Sequence, residues 1–475
     1  MNKIFLIFII FIFITNCSFN SNSKFWSKES KIQKITKIKE KNKTYIKKNL
    51  FANEEALQKE LNSKLKIKLK SKLINHNYIN NKNNNGRINY EGSLKNISKY
   101  KFKKIKYFNQ FEPEIIFHNN NLIFFNNIGS IIKFDEDSDL LWQKNYYTKQ
   151  EKKLNPVLFF SRNDDVLIIA DNISKYYALN VNTGELLWSN YNDAPFMSDV
   201  KIVEDKFFVV DSNNVIKCFS LKEGNKLWEY KSESRIIKSS KKLSIAIQNN
   251  ILVFNNSIGD ISALDINTGN LIWLTPTVKN KDLVQSFLLK SSDLVINNNS
   301  ILFSNNSNEF FSIDLKAGII NWKQKINSDL RPTVINNLIF TISSEGFLIV
   351  LDSETGNILR MTDLFGKLTK KSEKLNKLNP INFIENIFEK IPEDSRFYIP
   401  TKGTKSSKKK FSPVGFIVGK TNIYLTTSHG KLFVIDILTG QIQSILKIDN
   451  EKISRPFISN KNMFLVKENS IIKLN

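Results

Sequence analysis

The chain has 475 residues, 41% hydrophobic and 24% charged, with a formal net charge of +25. Two cysteines and three histidines exclude a disulfide-stapled scaffold and a His/Cys zinc module, so a core must come from packing alone. Nor does the charge imply nucleic acid: residues 1–110 hold 25 basic against 6 acidic side chains, residues 367–410 hold 12 against 5, and the remainder holds 33 against 34.

The first element is "MNKIFLIFIIFIFITNCS", one lysine and an apolar core followed by Cys17, a pattern that reads as a secretory signal over residues 1–16. Ile14-Thr15-Asn16-Cys17 resembles the bacterial lipobox, with Asn16 where a smaller residue is usual. The resemblance implies acylation of Cys17, and Ser18 implies sorting to the outer membrane, facing the periplasm. Residues 17–94, rich in Lys, Asn and Ser, read as a solvated tether. Within them, residues 53–73 are expected to form a short helix or strand. A basic tether beside an anionic membrane surface gains attraction, although a coding bias toward Lys, Asn and Ile explains the same composition.

Next comes "YKFKKIKYF" at residues 100–108, whose alternation marks a strand. Then a unit recurs. "LNVNTGELLW", "FSLKEGNKLW", "LDINTGNLIW" and "IDLKAGIINW" place Gly184, Gly224, Gly269 and Gly318 four residues before Trp188, Trp228, Trp273 and Trp322. A shorter version ends at Trp142, and the turns at Gly356 and Gly440 are followed by Arg360 and Ser444 instead of Trp. From Gly184 to Gly356 the glycines are 40, 45, 49 and 38 residues apart, one propeller blade per unit. Each unit reads strand, turn, strand, turn, strand; the Asx residue opens the turn, Gly supplies its positive φ, and Trp fills the space between adjacent sheets.

Residues 367–410 interrupt this pattern with a lysine-rich stretch poor in strand signals, expected as an inserted loop. The chain ends in "RPFISNKNMFLVKENSIIKLN", two strands with no final turn. Such an open edge is an aggregation hazard, and residues 100–108 are expected to cover it, giving an all-β, eight-bladed propeller of four-stranded antiparallel blades over residues 95–475, with seven blades as the alternative. His76, His118 and His429 have no metal-ligand spacing, and no G-x-S-x-G, P-loop or H-E-x-x-H occurs. The expectation is therefore no cofactor, no metal and no enzyme activity. Cys218 is expected in the core.

Repeated "ALD-x-x-TG-x-x-x-W" units behind a lipobox resemble the quinoprotein-type propeller repeat, and within it the BamB family of outer-membrane assembly lipoproteins. That resemblance implies a scaffold that binds the POTRA domains of BamA and other subunits of the β-barrel assembly machinery, with unfolded barrel clients as further binders. Segments similar to the family's partner-binding loops suggest Asp293, Asp329 and Arg331, whose alternative role is ordinary inter-blade turn chemistry. Propellers with this repeat also include pyrroloquinoline quinone enzymes, so an enzyme or a ligand- or peptidoglycan-binding lipoprotein is the competing class.

Overall fold

The computed structural model describes residues 67, 69, 73–74, 82–106, 108–235, 239–278, 288–366 and 411–475. The signal segment, Cys17, His76, most of the tether and the insertion at 367–410 lie outside the described residues.

Eight four-stranded antiparallel sheets form the blades of a propeller: blade 1 (116–144), blade 2 (158–191), blade 3 (201–231), blade 4 (245–276), blade 5 (295–324), blade 6 (333–363), blade 7 (413–447) and blade 8 (457–474). Within blades 1 to 7 the strands are neighbours in chain order, whereas blade 8 takes its fourth strand from residues 96–101. The middle strands are covered on both faces by adjacent blades, so they read as unbroken apolar runs such as Val166–Asp171 and Lys206–Val210. Outer strands are covered on one face only, and Leu186–Tyr191 and Leu271–Pro276 alternate accordingly.

The Gly–Trp signature now has a physical cause. Each repeat glycine from Gly184 to Gly440 has φ near +72°, the left-handed region that Gly enters at least cost. It also lies flat against the aromatic of the preceding blade: a Cβ on Gly269 would sit 2.6 Å from Trp228, and one on Gly318 would sit 2.5 Å from Trp273. The same tryptophans bond forward. Trp188, Trp228, Trp273 and Trp322 donate Nε1–H to the carbonyls of Leu221, Ile266, Leu315 and Ser353 at 3.0–3.2 Å. Trp142 lies against Gly184, while Lys133 Nζ takes the equivalent carbonyl of Val181 at 3.0 Å. In blade 6 the Arg360 guanidinium substitutes for Trp, donating to Ile437 at 2.9 Å beneath Gly440. Glycine and aromatic are therefore two halves of one inter-blade joint.

Blade 8 is closed by the amino-terminal side of the chain, but by an earlier strand than the alternation at 100–108 implies. Asn96–Lys101 pairs antiparallel with Ser470–Leu474. The chain then leaves the sheet, because Ile105 and Phe108 are drawn into the core beside Phe124 and Phe125. Cys218 is fully buried, as its strand position requires, and burial pushes its thiol up to about 12.

A second departure concerns residues 82–94, which composition assigns to the tether. Residues 82–90 enter the axial channel and bond to the inner strands. Ile247 and Ile296 donate their N–H groups to the carbonyls of Lys82 and Asn83 at 2.7 and 2.9 Å. Asn84, fully buried with φ +60°, donates to the carbonyls of Ile245 and Leu294 at 2.9 and 2.8 Å and accepts from Lys201 Nζ at 2.5 Å. Val334 N–H donates to Asn85 Oδ1 at 2.9 Å, and Arg87 Nε to the Gly419 carbonyl at 3.0 Å. Ile88 and Tyr90 then pack into the apolar layer between blades 7 and 8.

Candidate partner-binding face

The connections between blades and the middle turns of each blade open on one end of the propeller, opposite the Gly-containing turns. There the residue two places before an inner strand is charged in five blades: Glu114, Asp199, Asp293, Arg331 and Arg455, ahead of strands beginning at Ile116, Lys201, Val295, Thr333 and Phe457. Blade geometry converts that offset into a ring around the axis.

Ring members pair with one another and with Lys241 and Lys242. Lys242 Nζ lies 2.9 Å from Glu114 and 2.7 Å from Asp199, and Arg455 lies 3.3 Å from Glu114. Arg331 Nε donates to Asp293 Oδ2 at 2.6 Å, and its Nη2 contacts the same oxygen. Lys241 Nζ is 2.7 Å from Glu112 and 3.6 Å from Asp329. Burial alone would raise the Glu112 carboxyl, but Lys241 and Lys242 outweigh it and bring it down to about 2. Asp293 is held well below the carboxylate range: burial opposes this, and Arg331 and Lys242 prevail. Glu114 goes the other way, raised by burial and by Asp199 against the pull of Lys242. Burial lowers Lys201 to about 8, against the attraction of Asp199.

Asp293, Asp329 and Arg331 thus lie around one small cavity. Asp293 and Arg331 are nearly covered, with side chains 9% and 10% exposed, while Asp329 is 25% exposed. Glu114, Asp199, Lys242 and Arg455 complete the ring and are not among the residues suggested by sequence. Their signal is a Ser-charge pair just before the inner strand, in Ser198-Asp199, Ser292-Asp293 and Ser454-Arg455. The serine hydroxyls accept main-chain N–H groups of Val210, Ser304 and Val466 at 2.7–3.0 Å, which fixes the direction of the charged neighbour.

Above the ring lies a cleft of about 960 Å³, with Phe111, Met197, Leu330 and Val414 in its wall and Lys106, Lys290 and Lys452 at its margin. Lys452 donates to the carbonyls of Asn109 and Phe111, both at 3.2 Å, and burial lowers its pKa. His429 stands at this margin with Nδ1 3.0 Å from the Ser428 hydroxyl. Beside Asp293 and Arg331 the free space shrinks to about 30 Å³. Among the described residues no group of three or more His, Cys, Asp or Glu side chains is placed to hold a metal ion.

The closed eight-bladed ring with its Gly–Trp joints defines a PQQ-type repeat propeller. A family model described as outer membrane protein assembly factor BamB matches residues 127–362. Among solved structures, BamB from Moraxella catarrhalis superposes with a TM-score of 0.59 at 14% identity, covering 80% of this chain and 99% of that one. A europium-containing methanol dehydrogenase gives 0.60 at 9% identity over 82% and 89% of the two chains. Quinohemoprotein alcohol dehydrogenase from Comamonas testosteroni gives 0.58 at 8% identity over 84% and 80%. No curated protein matches the sequence significantly. The chain is a BamB-like propeller.

Proposed function

We propose that this protein is a non-enzymatic scaffold of outer-membrane β-barrel assembly, anchored through acylated Cys17 to the periplasmic side of the outer membrane. It docks on the POTRA domains of BamA through the face that carries the charge ring. The observation that supports this most is the pairing of the BamB match with a wide, apolar-walled, lysine-margined cleft over a rigid floor. Preformed concave surfaces with few convergent charges suit protein docking, since little must be ordered on binding. Asp329 reaches the cleft, and Asp293 and Arg331 hold its floor in place.

The competing reading, a quinone enzyme, draws on the dehydrogenases among the structural relatives. Beside Asp293 and Arg331 the residues present do not fit such a group, because the cavity of about 30 Å³ there holds no more than a water or two.

Affinity capture of the tagged full-length chain from detergent-solubilised envelopes tests the proposal, with Asp329→Ala, Arg331→Ala and Lys290→Glu as variants. Recovery of BamA that falls with Asp329→Ala and Lys290→Glu supports both function and face. Recovery unchanged in all three keeps the function and discards the face, and no BamA from a folded, membrane-located protein overturns the assembly role.

A further inference from the structure

The chain meets its own propeller twice in succession. Residues 82–90 bond to the inner strands of blades 3 to 7 through Lys201, Ile245, Ile296, Val334 and Gly419. Only a short link then separates them from Asn96–Lys101, the strand that closes the ring. The closing strand is an edge of six residues, mostly exposed, joined to the sheet on one side only. Its first residue, Asn96, pairs with Leu474 at the end of the chain, and the link is stitched there by Leu94 N–H to the Asn475 carbonyl at 2.6 Å.

That order has a mechanical consequence. A pull arriving at residue 95 would act on the end of an edge strand and break its ladder a bond or two at a time, and the broken ladder is the ring closure itself. The axial segment stands upstream of this weak point. Its bonds go to five blades around the axis, so they are strained together instead of in turn, and Asn84 and Tyr90 are buried. Withdrawing it would break the bonds made by the carbonyls of Ile245 and Leu294 and by the N–H groups of Ile247, Ile296 and Val334.

We propose that the axial channel is an intramolecular peptide-binding site whose ligand is the polar turn at residues 82–90, and that its role is to take the tension of the tether before it reaches the closing strand. The proposal rests on residues 17–81 being a load-carrying tether and not on the identity of any partner.

The test pulls on the unacylated full chain in an optical trap, with one handle on Cys17 and the other on Lys290→Cys; Cys218 is buried and stays unlabelled. Load should leave the ring closed up to the force that frees residues 82–94, about 45 Å of chain, and blade 8 should open in the same event, because the edge strand then carries the load alone. Asn84→Ala and, separately, Asn85→Ala should lower that rupture force at least twofold. Without load, hydrogen exchange of Asn96–Lys101 should be the same in wild type and both variants.

Blade 8 opening in wild type at a force below that which frees residues 82–94 would overturn the proposal, as would unchanged rupture forces in the variants. Faster unloaded exchange at Asn96–Lys101 in the variants would also overturn it, because the segment would then merely prop the ring. Absence of acylation at Cys17 in cells would refute the anchor and leave these outcomes unaffected.

Discussion

Replacing Arg331 by alanine is expected to destabilise the propeller by about 3 kcal/mol. The Arg331 and Asp293 side chains are 10% and 9% exposed and bonded at 2.6 Å, and removing one partner of such a pair typically costs about 3–5 kcal/mol because the other charge is left desolvated. The lower end applies because Lys242 and Lys241 continue to attract Asp293. Removing both charges together strands neither, so Asp293→Leu with Arg331→Met should recover most of the loss. Urea unfolding followed by tryptophan emission reports this directly, since Trp188, Trp228, Trp273 and Trp322 sit in the inter-blade joints. A loss under about 1 kcal/mol for Arg331→Ala, with the double variant additive, would refute the reasoning. The result also governs how partner capture is interpreted: weaker capture by Arg331→Ala would report a distorted floor, whereas the exposed Lys290 is free of that ambiguity.

Two further outcomes follow from the same geometry. Arg360→Trp should restore the repeat and change stability by no more than about 1 kcal/mol, whereas Arg360→Ala, which empties the joint and strands the Ile437 carbonyl, should cost about 3; urea midpoints decide, and equal losses would refute the equivalence of Arg360 and the tryptophans. Asp171, buried beneath Tyr147, is raised from 3.8 to about 6, chiefly by burial; the native state therefore holds its proton more tightly between those values, and lowering the pH from 7 to 4 should favour wild type over Asp171→Asn by about 2 kcal/mol in urea titrations, a constant difference across that range being the refuting result.

Blade number and the closing role of the amino-terminal strand were legible because they rest on period and turn chemistry, which a single chain displays. Arg360 was visible only as a lost tryptophan; that it occupies the same joint depends on a carbonyl 77 residues away. The closing strand starts at Asn96 and not at Tyr100 because Ile105 and Phe108 are worth more in the core than on an edge, a competition that alternation does not register. The axial segment was hidden for a deeper reason. Polar composition normally signals solvation, yet the innermost strands present N–H and C=O groups to the channel that need partners, and here a polar loop supplies them. Asn84 is buried, and Asn83 and Asn85 half-buried, by polarity, where apolar residues would have made none of these bonds to the channel walls.

The repeat also decides which end of the propeller is able to vary. Turns between first and second strands are almost all two residues long, as at 119–120, 204–205 and 336–337, and the Gly-containing turns must each fit the tryptophan, or in one case Arg360, of the preceding blade. A substitution there breaks a joint. Connections between blades carry no such restriction: they range from the eight residues at 325–332 to the stretch between Asp363 and Pro413 that contains the insertion. Their strand-proximal ends supply the charge ring, held by serine contacts to the second strand of the same blade, so the floor is rigid while the loops above it differ in length and charge. Recognition surfaces arise where a fixed scaffold presents variable loops. In this chain both conditions are met on the face of Asp329 and Lys290, and the turn face meets only the first.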